Sequence, residues 1–189
     1  MLERPNDQFP VSVTSDGTLF FRELHPLTGG DLWARSPDGK VTQVLVTQFN
    51  EWFCAISPDG RWIAYESDES GQSEVYIQDY PERKKNPIRV STSGGAFPKW
   101  SHNGKEIFYR DYDALMARTI GSDGSITSEP RRLFDSIIDY ESTYNSYDIS
   151  FDDKKFLIIR QDPDSVPNQL NVILNWTEEL QRLVPKEGQ

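Results

Sequence analysis

The sequence predicts an all-β fold made of four antiparallel sheets, the blades of a β-propeller. One turn motif recurs four times, as TSDG, SPDG, SHNG and SFDD, beginning at residues 14, 57, 101 and 150. Each copy lies between short segments rich in aromatic and β-branched residues, which favour strands. Because the motif returns every 43 to 49 residues, roughly the length of a four-stranded blade, the repeat indicates a propeller.

The best-defined repeat begins at residue 52. Segments WFCAIS and RWIAYES flank the turn SPDG, in which Pro58 presets φ and Gly60 closes the turn. SDESGQ is a second turn, and SEVYIQDY then alternates apolar and polar residues with the period of a half-buried strand. PIRVST supplies a fourth strand. Such a meander needs a neighbouring sheet to be stable in water, so it predicts stacked blades.

The repeats divide the chain into four blades with one irregular end. We expect blades over residues 9–47, 49–92, 96–134 and 144–180. The last of these ends in NWTEELQRLV, where Trp176, Leu180 and Leu183 have helical spacing. We therefore expect three strands and a short C-terminal helix there, against four strands in each other blade.

The ends of the chain indicate a partial propeller. The segment before Phe9 is short and polar, which is a poor match to a strand that would close a ring. An open arc exposes an apolar face at each end, which we expect around Phe9 and Val11 and around Tyr147 and Ile149. Uncovered apolar faces and strand edges favour association, so we expect a homo-oligomer that completes the ring.

Composition and charge exclude several classes of partner. The net charge of −10 and the pI of about 4.7 oppose binding to nucleic acids and to anionic membrane surfaces. The sequence has no apolar stretch long enough to span a membrane, and MLERPNDQFP lacks the apolar centre of a signal peptide. The single cysteine, Cys54, lies in a predicted strand and is interpreted as a small buried apolar residue.

The segment SPDGRWIAYESDESGQSEVYIQDY resembles the Pro-Asp-Gly repeat of TolB-type propellers. Similar repeats build the propellers of prolyl oligopeptidase-like enzymes and the C-terminal sensor regions of bacterial Ser/Thr kinases. The stretch from Asn171 to Pro185 resembles the end of the kinase-linked propellers. The resemblance implies a fold and not an active site, because the repeat residues build blades. It implies a periplasmic location if the parent is TolB-type or kinase-linked; the sequence itself assigns no compartment.

No residue pattern in the sequence predicts catalysis, a cofactor or a metal site. The two histidines, His25 and His102, lie outside zinc-binding motifs, and no G-x-S-x-G elbow or P-loop occurs. Acidic residues recur at one turn position, which indicates local hydrogen bonds to the backbone; they are Asp16, Asp38, Asp59 and Asp152. We therefore expect a non-catalytic binding module. The alternatives are the gating propeller of a prolyl oligopeptidase-like hydrolase and the sensor region of a bacterial Ser/Thr kinase.

A candidate binding surface follows from where the loops fall. Strands alternate in direction, so the loops between second and third strands share one rim with the loops between blades. These loops are rich in acidic residues and contain no Lys or Arg, which predicts a site for a protein, a basic peptide or a small cation. Tyrosines among them add cation–π contacts. The candidate site residues are Asp68, Glu69, Asp111, Tyr112, Asp113, Asp139, Tyr140 and Glu141.

Overall fold

The computed structural model describes residues 4–112, 114–135 and 147–158, which contain only strands as regular structure. Blade one consists of β1 (Gln8–Val13), β2 (Leu19–His25), β3 (Gly29–Arg35) and β4 (Val41–Leu45). Blade two consists of β5 (Glu51–Ile56), β6 (Trp62–Ser67), β7 (Glu74–Asp79) and β8 (Ile88–Arg89). Blade three consists of β9 (Ala96–Trp100), β10 (Glu106–Arg110), β11 (Ala114–Thr119) and β12 (Arg131–Asp135). Blade four is represented by β13 (Tyr147–Ile149) and β14 (Phe156–Ile158).

Within each blade the strands pair antiparallel in chain order, and the first strand of blade two contacts the first strands of blades one and three. The all-β expectation is therefore confirmed, as is its assignment to a partial propeller. The helix predicted around Trp176 and the remainder of blade four lie outside the described residues.

The recurring acidic turn residues have the local role predicted from the sequence. In blade two, Gly60 N–H donates to the Ser57 carbonyl over 2.9 Å, and Gly60 has a φ of 72° that a side chain would disfavour. Asp59 Oδ1 accepts hydrogen bonds from Arg61 N (3.1 Å) and from Ser57 Oγ (2.6 Å). The same backbone contact, from the residue two positions later, is made by Asp16, Asp38 and Asp152. These carboxylates stabilise turns.

Among the described residues, the core consists of three apolar layers between successive blades. Phe20 and Leu32 of blade one contact Ile63 and Tyr65 of blade two. The opposite face of blade two, with Ala64, packs against blade three through Trp100, Ile107 and Tyr109. Blade three then meets blade four through Phe108, Leu115 and Tyr147. Successive residues of β6 thus face different neighbours, as the pleat of a strand requires.

Strand β8 is shorter than the expected PIRVST strand. Only Ile88 and Arg89 pair with β7 in the ladder. Beyond them, Ser91 Oγ accepts the Val75 N–H at 2.7 Å, which replaces a main-chain acceptor with a side chain. The regular pairing therefore ends two residues after Pro87.

The expectation of an exposed face around Tyr147 is wrong. Tyr147 is buried against blade three, and its hydroxyl donates toward the carbonyls of Phe97 (2.6 Å) and Phe108 (3.1 Å). Leu157, on the other side of the same two-stranded unit, is 74% exposed. The alternation of strand side chains decides which face is covered.

Candidate ligand-binding site

A cavity of about 370 Å³ lies on one rim of the arc, between blades two and three. We call this end the pocket rim; it carries the loops between β6 and β7, between β8 and β9, and between β10 and β11. Its aromatic walls are Trp52, Phe53, Phe97 and Tyr112. A cavity of this size with apolar walls and a few polar groups is typical of a small-molecule or side-chain site.

Glu66 supplies a buried carboxylate in the wall of this cavity. The residue is 7% exposed, and its Oε1 accepts a hydrogen bond from Ser73 Oγ at 2.6 Å. Its Oε2 accepts the main-chain N–H of Phe97 at 3.2 Å. Burial raises the pKa of Glu66, and these hydrogen bonds together with the charges of Arg110 and Arg22 oppose that rise. Glu66 therefore ties blade two to the first strand of blade three.

The backbone around Phe97 is held in an uncommon conformation. Phe97 has a φ of 54°, which non-glycine residues adopt infrequently, and its ring centroid lies 4.4 Å from that of Phe53. The guanidinium carbon of Arg110 lies 4.7 Å from the centre of the Phe97 ring. Conformational outliers of this kind cluster at binding sites, where the surroundings hold them in place.

A glycine lets Tyr112 form one wall of the cavity. Gly94 has a φ of 103°, and a Cβ built on it would lie 2.9 Å from the Tyr112 ring. Tyr112 itself is 52% exposed, so its ring borders both the cavity and solvent. The wall depends on a position that only glycine fits without displacement.

Three charged residues occupy one equivalent position in successive blades. In blades one to three, the last residue of the first strand pairs with a residue of the second strand. These pairs are Val13 with Leu19, Ile56 with Ile63, and Trp100 with Ile107. The residues that lie three positions after these partners are Arg22, Glu66 and Arg110. Blades one to three thus carry a positive, a negative and a positive group at the pocket rim.

Arg22 is enclosed by aromatic rings next to the cavity. Its guanidinium carbon lies 4.5 Å from the Trp52 ring centre, 4.8 Å from that of Phe9 and 5.9 Å from that of Phe53. Burial lowers the pKa of Arg22, and the charge of Glu66 opposes that shift. Cation–π contacts of this kind fix the plane of the guanidinium.

The structure brings two of the predicted site residues into the cavity. Asp111 and Tyr112 line it. Asp68 instead accepts hydrogen bonds from the main-chain N (2.9 Å) and side-chain Nδ2 (2.7 Å) of Asn50. Glu69 lies in a separate groove between blades one and two, with Glu51 and Thr47. The other four, Asp113, Asp139, Tyr140 and Glu141, lie outside the described residues.

Sequence reasoning missed most of the cavity. Trp52 and Phe97 lie in segments that the sequence predicts as strands. Glu66 is the second-last residue of β6 and Arg110 is the last residue of β10, so neither is a loop residue. A comparison of the blades by strand register would have found the charged row. Alignment of the blades by their turn motifs does not place the three charged residues at one position, because positions are then counted from the turn and not from the paired strand residues.

One histidine of the described residues pairs with a carboxylate. His102 Nδ1 lies 2.8 Å from Asp153 Oδ1, but no serine, threonine or cysteine of the described chain makes a hydrogen bond to the His102 ring. No group of three or more His, Cys, Asp or Glu in residues 4–112, 114–135 and 147–158 is placed to hold a metal ion. In the same part of the chain, no helix is long and apolar enough to cross a membrane.

Comparison with known proteins gives matches among solved structures. No family model and no curated protein matches the sequence. A TolB-like protein of Agrobacterium tumefaciens matches with a TM-score of 0.56 and 20% identity, over 70% of this chain and 51% of that one. TolB of Acinetobacter baumannii matches with a TM-score of 0.53 and 16% identity, over 72% and 34%. A prolyl endopeptidase matches with a TM-score of 0.53 and 17% identity, over 80% and 25%.

The chain thus spans about half the length of the Agrobacterium protein and about a third of the Acinetobacter protein. At 20% identity or less, these likenesses concern the fold, on which many functions are built. The protein has the fold of a TolB-type β-propeller.

Proposed function

We propose that this chain is a non-catalytic recognition module that binds a protein segment, a peptide or a small ligand in the cavity on the pocket rim. The observation that carries the proposal is the cavity itself, about 370 Å³ in volume and walled by Trp52, Phe53, Phe97 and Tyr112. Aromatic pockets at a surface are the sites where a partner's side chain gains most of its binding energy.

The cavity is preformed, which supports a binding role. Glu66 is fixed by Ser73 and by the Phe97 N–H, and Phe97 is further fixed by its ring contact with Phe53. A site whose walls are already ordered loses less conformational entropy when a ligand binds. The same wall groups are held by contacts between blades two and three, so the fold positions the site.

The acidic residues predicted from the sequence belong to this proposal through Asp111 and Tyr112. A lysine or arginine side chain of a partner would contact the Asp111 carboxylate and the Tyr112 ring, since both residues line the cavity. A basic peptide is therefore one class of ligand that the test must include, beside neutral and acidic ones.

The test is a binding screen on the whole chain by two-dimensional amide NMR. A set of small aromatic compounds that includes acids, amides and amines is expected to shift the Gly94 and Gly95 amides, which border the cavity. The Tyr112→Ala variant removes one wall and is expected to weaken binding at least fivefold. Tyr112 is half exposed, so the variant is expected to fold.

Phe151→Ala is the matched control for this screen. Phe151 is an exposed aromatic residue, 88% accessible, in the β13–β14 turn at the opposite rim. Its removal is expected to leave every affinity unchanged. Absence of any shift at Gly94 and Gly95 across the screen, or equal losses in the two variants, would overturn the proposal.

The non-catalytic part of the proposal has its own assay. The chain is expected to show no turnover of a chromogenic Gly-Pro peptide or of a nitrophenyl ester above the buffer rate. Turnover that disappears when a single Ser, Asp or His is replaced would overturn it. The likeness to a prolyl endopeptidase concerns the fold, and no hydrolase function is proposed from it.

A further inference from the structure

A groove of about 310 Å³ lies between blades one and two and shares no lining residue with the cavity of the proposed function. Leu45, Tyr65 and Pro87 give it an apolar side. Its charged lining consists of three glutamates and one arginine, namely Glu51, Glu69, Glu82 and Arg83. We call this feature the acidic groove. A concave surface with an excess of negative charge attracts cations.

Glu51 carries a carboxylate that the described residues satisfy only in part. The residue is 1% exposed, and its Oε1 accepts a hydrogen bond from Thr47 Oγ1 at 2.6 Å. Its Oε2 has no hydrogen-bond partner in residues 4–112, 114–135 and 147–158. Glu51 and Thr47 both line the acidic groove, so this hydrogen-bonded pair is part of the groove wall. A buried acceptor without a donor is unfavourable, and a ligand that donates to it removes that cost.

The charges around Glu51 favour a cation as that ligand. Three further carboxylates raise the pKa of Glu51 in addition to burial, and they belong to Asp31, Asp68 and Glu69. Tyr65 lies near the same carboxylates, since Glu69 and Glu51 both raise the pKa of its hydroxyl, whereas Arg83 opposes that rise. The negative charges therefore outnumber the positive one on every side of Glu51 that these groups represent.

Glu69 is the second carboxylate that is available to a ligand. Its main-chain N–H donates to Ser67 Oγ at 3.3 Å, while its exposed carboxylate makes no hydrogen bond or ion pair within the described part of the chain. Glu82, in contrast, forms an ion pair with Lys84. The acidic groove thus offers one partly satisfied carboxylate in its wall and one exposed carboxylate.

We propose that the acidic groove binds a primary amine through its ammonium group, which lies between the carboxylates of Glu51 and Glu69. The carbon chain of the amine lies along the apolar side of the groove. An ammonium has three donors, which suffice for the unpartnered oxygen of Glu51 and for Glu69. The last side-chain torsion of a glutamate is soft, so a small rotation of the Glu51 carboxyl turns its oxygens toward the ligand.

The lining favours an organic cation over a metal ion. No group of three or more His, Cys, Asp or Glu among the described residues is placed to hold a metal. Leu45 and Pro87 have no side-chain atoms that could coordinate an ion, but they contact methylene groups well. An alkyl amine uses both the acidic and the apolar side of the groove.

The experiment titrates the whole chain with three probes of one shape: pentylamine, pentan-1-ol and pentanoate. Amide NMR shifts of Thr47 and Glu69 report binding in the acidic groove. The amine is expected to bind at least fivefold more tightly than the alcohol, and pentanoate more weakly than both. The amides of Gly94 and Gly95, which border the other cavity, are expected to stay unshifted when the amine binds.

Variants assign the amine preference to the two carboxylates. Glu51→Gln and Glu69→Gln are each expected to lower the affinity for pentylamine at least fivefold and to leave the affinity for pentan-1-ol unchanged. Glu129→Gln is the matched control, because it removes the same charge from an exposed position outside the groove. Thermal unfolding verifies that each variant is folded. Glu69 is exposed, so its variant tests the proposal even if Glu51→Gln does not fold.

Proton release gives a readout that a purely structural role of Glu51 would not change. The pKa of Glu51 is raised to about 7, and a bound ammonium favours the charged carboxylate and so lowers that pKa. At pH 7 we therefore expect release of up to about half a proton for each amine bound. Calorimetric titrations in buffers of different ionisation enthalpy measure this release, which is expected to disappear in Glu51→Gln.

One further arm distinguishes the source of the amine. N-acetyl-lysine methylamide has a lysine side chain without a free α-amino group. If it binds more tightly than pentylamine, the site is assigned to lysine side chains of a peptide or protein. If it binds more weakly, the site is assigned to free alkyl amines, and either result supports the inference.

The inference and the proposed function fail in different ways. Equal affinities for the amine and the alcohol, or amine binding without a proton release that depends on Glu51, would overturn the inference and leave the other cavity untouched. Displacement of pentylamine by Ca²⁺ with larger shifts at Thr47 and Glu69 would assign the groove to a metal ion and overturn the inference as well. Failure of the proposed function is seen instead at Gly94 and Gly95 in the aromatic screen.

Discussion

The main-chain N–H of Phe97 donates a hydrogen bond to Glu66 Oε2 over 3.2 Å, across the boundary between blades three and two. One side chain near the end of β6 thereby holds the first strand of the next blade and forms part of the wall of the cavity. The same side chain therefore contributes both to the packing of two blades and to the wall of the cavity.

Replacement of Glu66 is expected to show how much its hydrogen bond stabilises the packing of blades two and three. Glu66→Ala leaves the buried Phe97 N–H without an acceptor, so we expect a loss of about 2–3 kcal/mol in the free energy of unfolding. Glu66→Gln keeps an amide oxygen there and is expected to lose less than half as much. Urea denaturation measures both, with the exposed Glu129→Ala as control. Equal stability of the alanine variant and wild type would contradict the role assigned to Glu66.

Glu51 is expected to make stability depend on pH near neutrality. Burial raises the pKa of Glu51 from 4.5 to about 7, and its Oε2 has no partner among the described residues. Because the folded-state pKa lies above the unfolded value, the stabilisation is complete below pH 4.5 and is lost as the pH rises through about 7.

Glu51→Gln imitates the protonated form and retains an acceptor for Thr47 Oγ1. Between pH 5 and pH 8 we expect wild type to lose at least about 1 kcal/mol more than this variant. Denaturation at several pH values measures the difference, and Glu129→Gln is the control for net charge. Parallel pH profiles for wild type and Glu51→Gln would exclude a raised pKa.

Two glycines in turns on the rim opposite the pocket rim form a matched pair for testing the contact between blades two and three. Both have positive φ, 72° at Gly60 and 83° at Gly124. A Cβ on Gly60 meets no atom within 4 Å, whereas one on Gly124 would lie 2.2 Å from the Trp62 ring. We expect Gly60→Ala to cost about 1 kcal/mol and Gly124→Ala at least roughly 2 kcal/mol more. If the two variants lose similar amounts of stability in thermal or urea unfolding, Trp62 does not lie against the turn that contains Gly124.

The thiol of Cys54 is expected to be unreactive in the folded protein. Burial raises the pKa of Cys54 to about 12, and the side chain is 4% exposed. Ellman's reagent at pH 8 should label less than a tenth of the protein in the time that labels it fully in urea. Complete labelling without denaturant would mean that blades one and two separate readily.

The side of β13 and β14 that carries Leu157 is expected to drive self-association. Leu157 is 74% exposed, although Phe108 at the corresponding place in blade three is covered by the next blade. We propose that a second copy covers this face, and expect Leu157→Lys to weaken association at least fivefold in sedimentation equilibrium. Phe151→Lys, which removes an exposed aromatic residue from a turn, is expected to have no effect. A monomer at every concentration would refute the proposal.

The sequence by itself determined the fold of this protein and the role of its acidic turn residues. Turns such as SPDG depend on neighbours in the chain: Asp59 reaches Ser57 and Arg61, and Gly60 supplies the positive φ. Strand alternation is likewise a local property. Both are therefore visible in sequence spacing.

Only the tertiary structure decided where the cavity lies. Arg22, Glu66 and Arg110 share a register that the turn motif hides, because the Thr14 N–H donates to Thr18 O whereas the Ser57 N–H donates to Trp62 O, one residue further on. The predicted Asp68 forms hydrogen bonds with Asn50, and the unpredicted Trp52 lines the cavity. These outcomes depend on contacts between blades, which bring together residues that are distant in the chain, and the spacing within one repeat does not specify them.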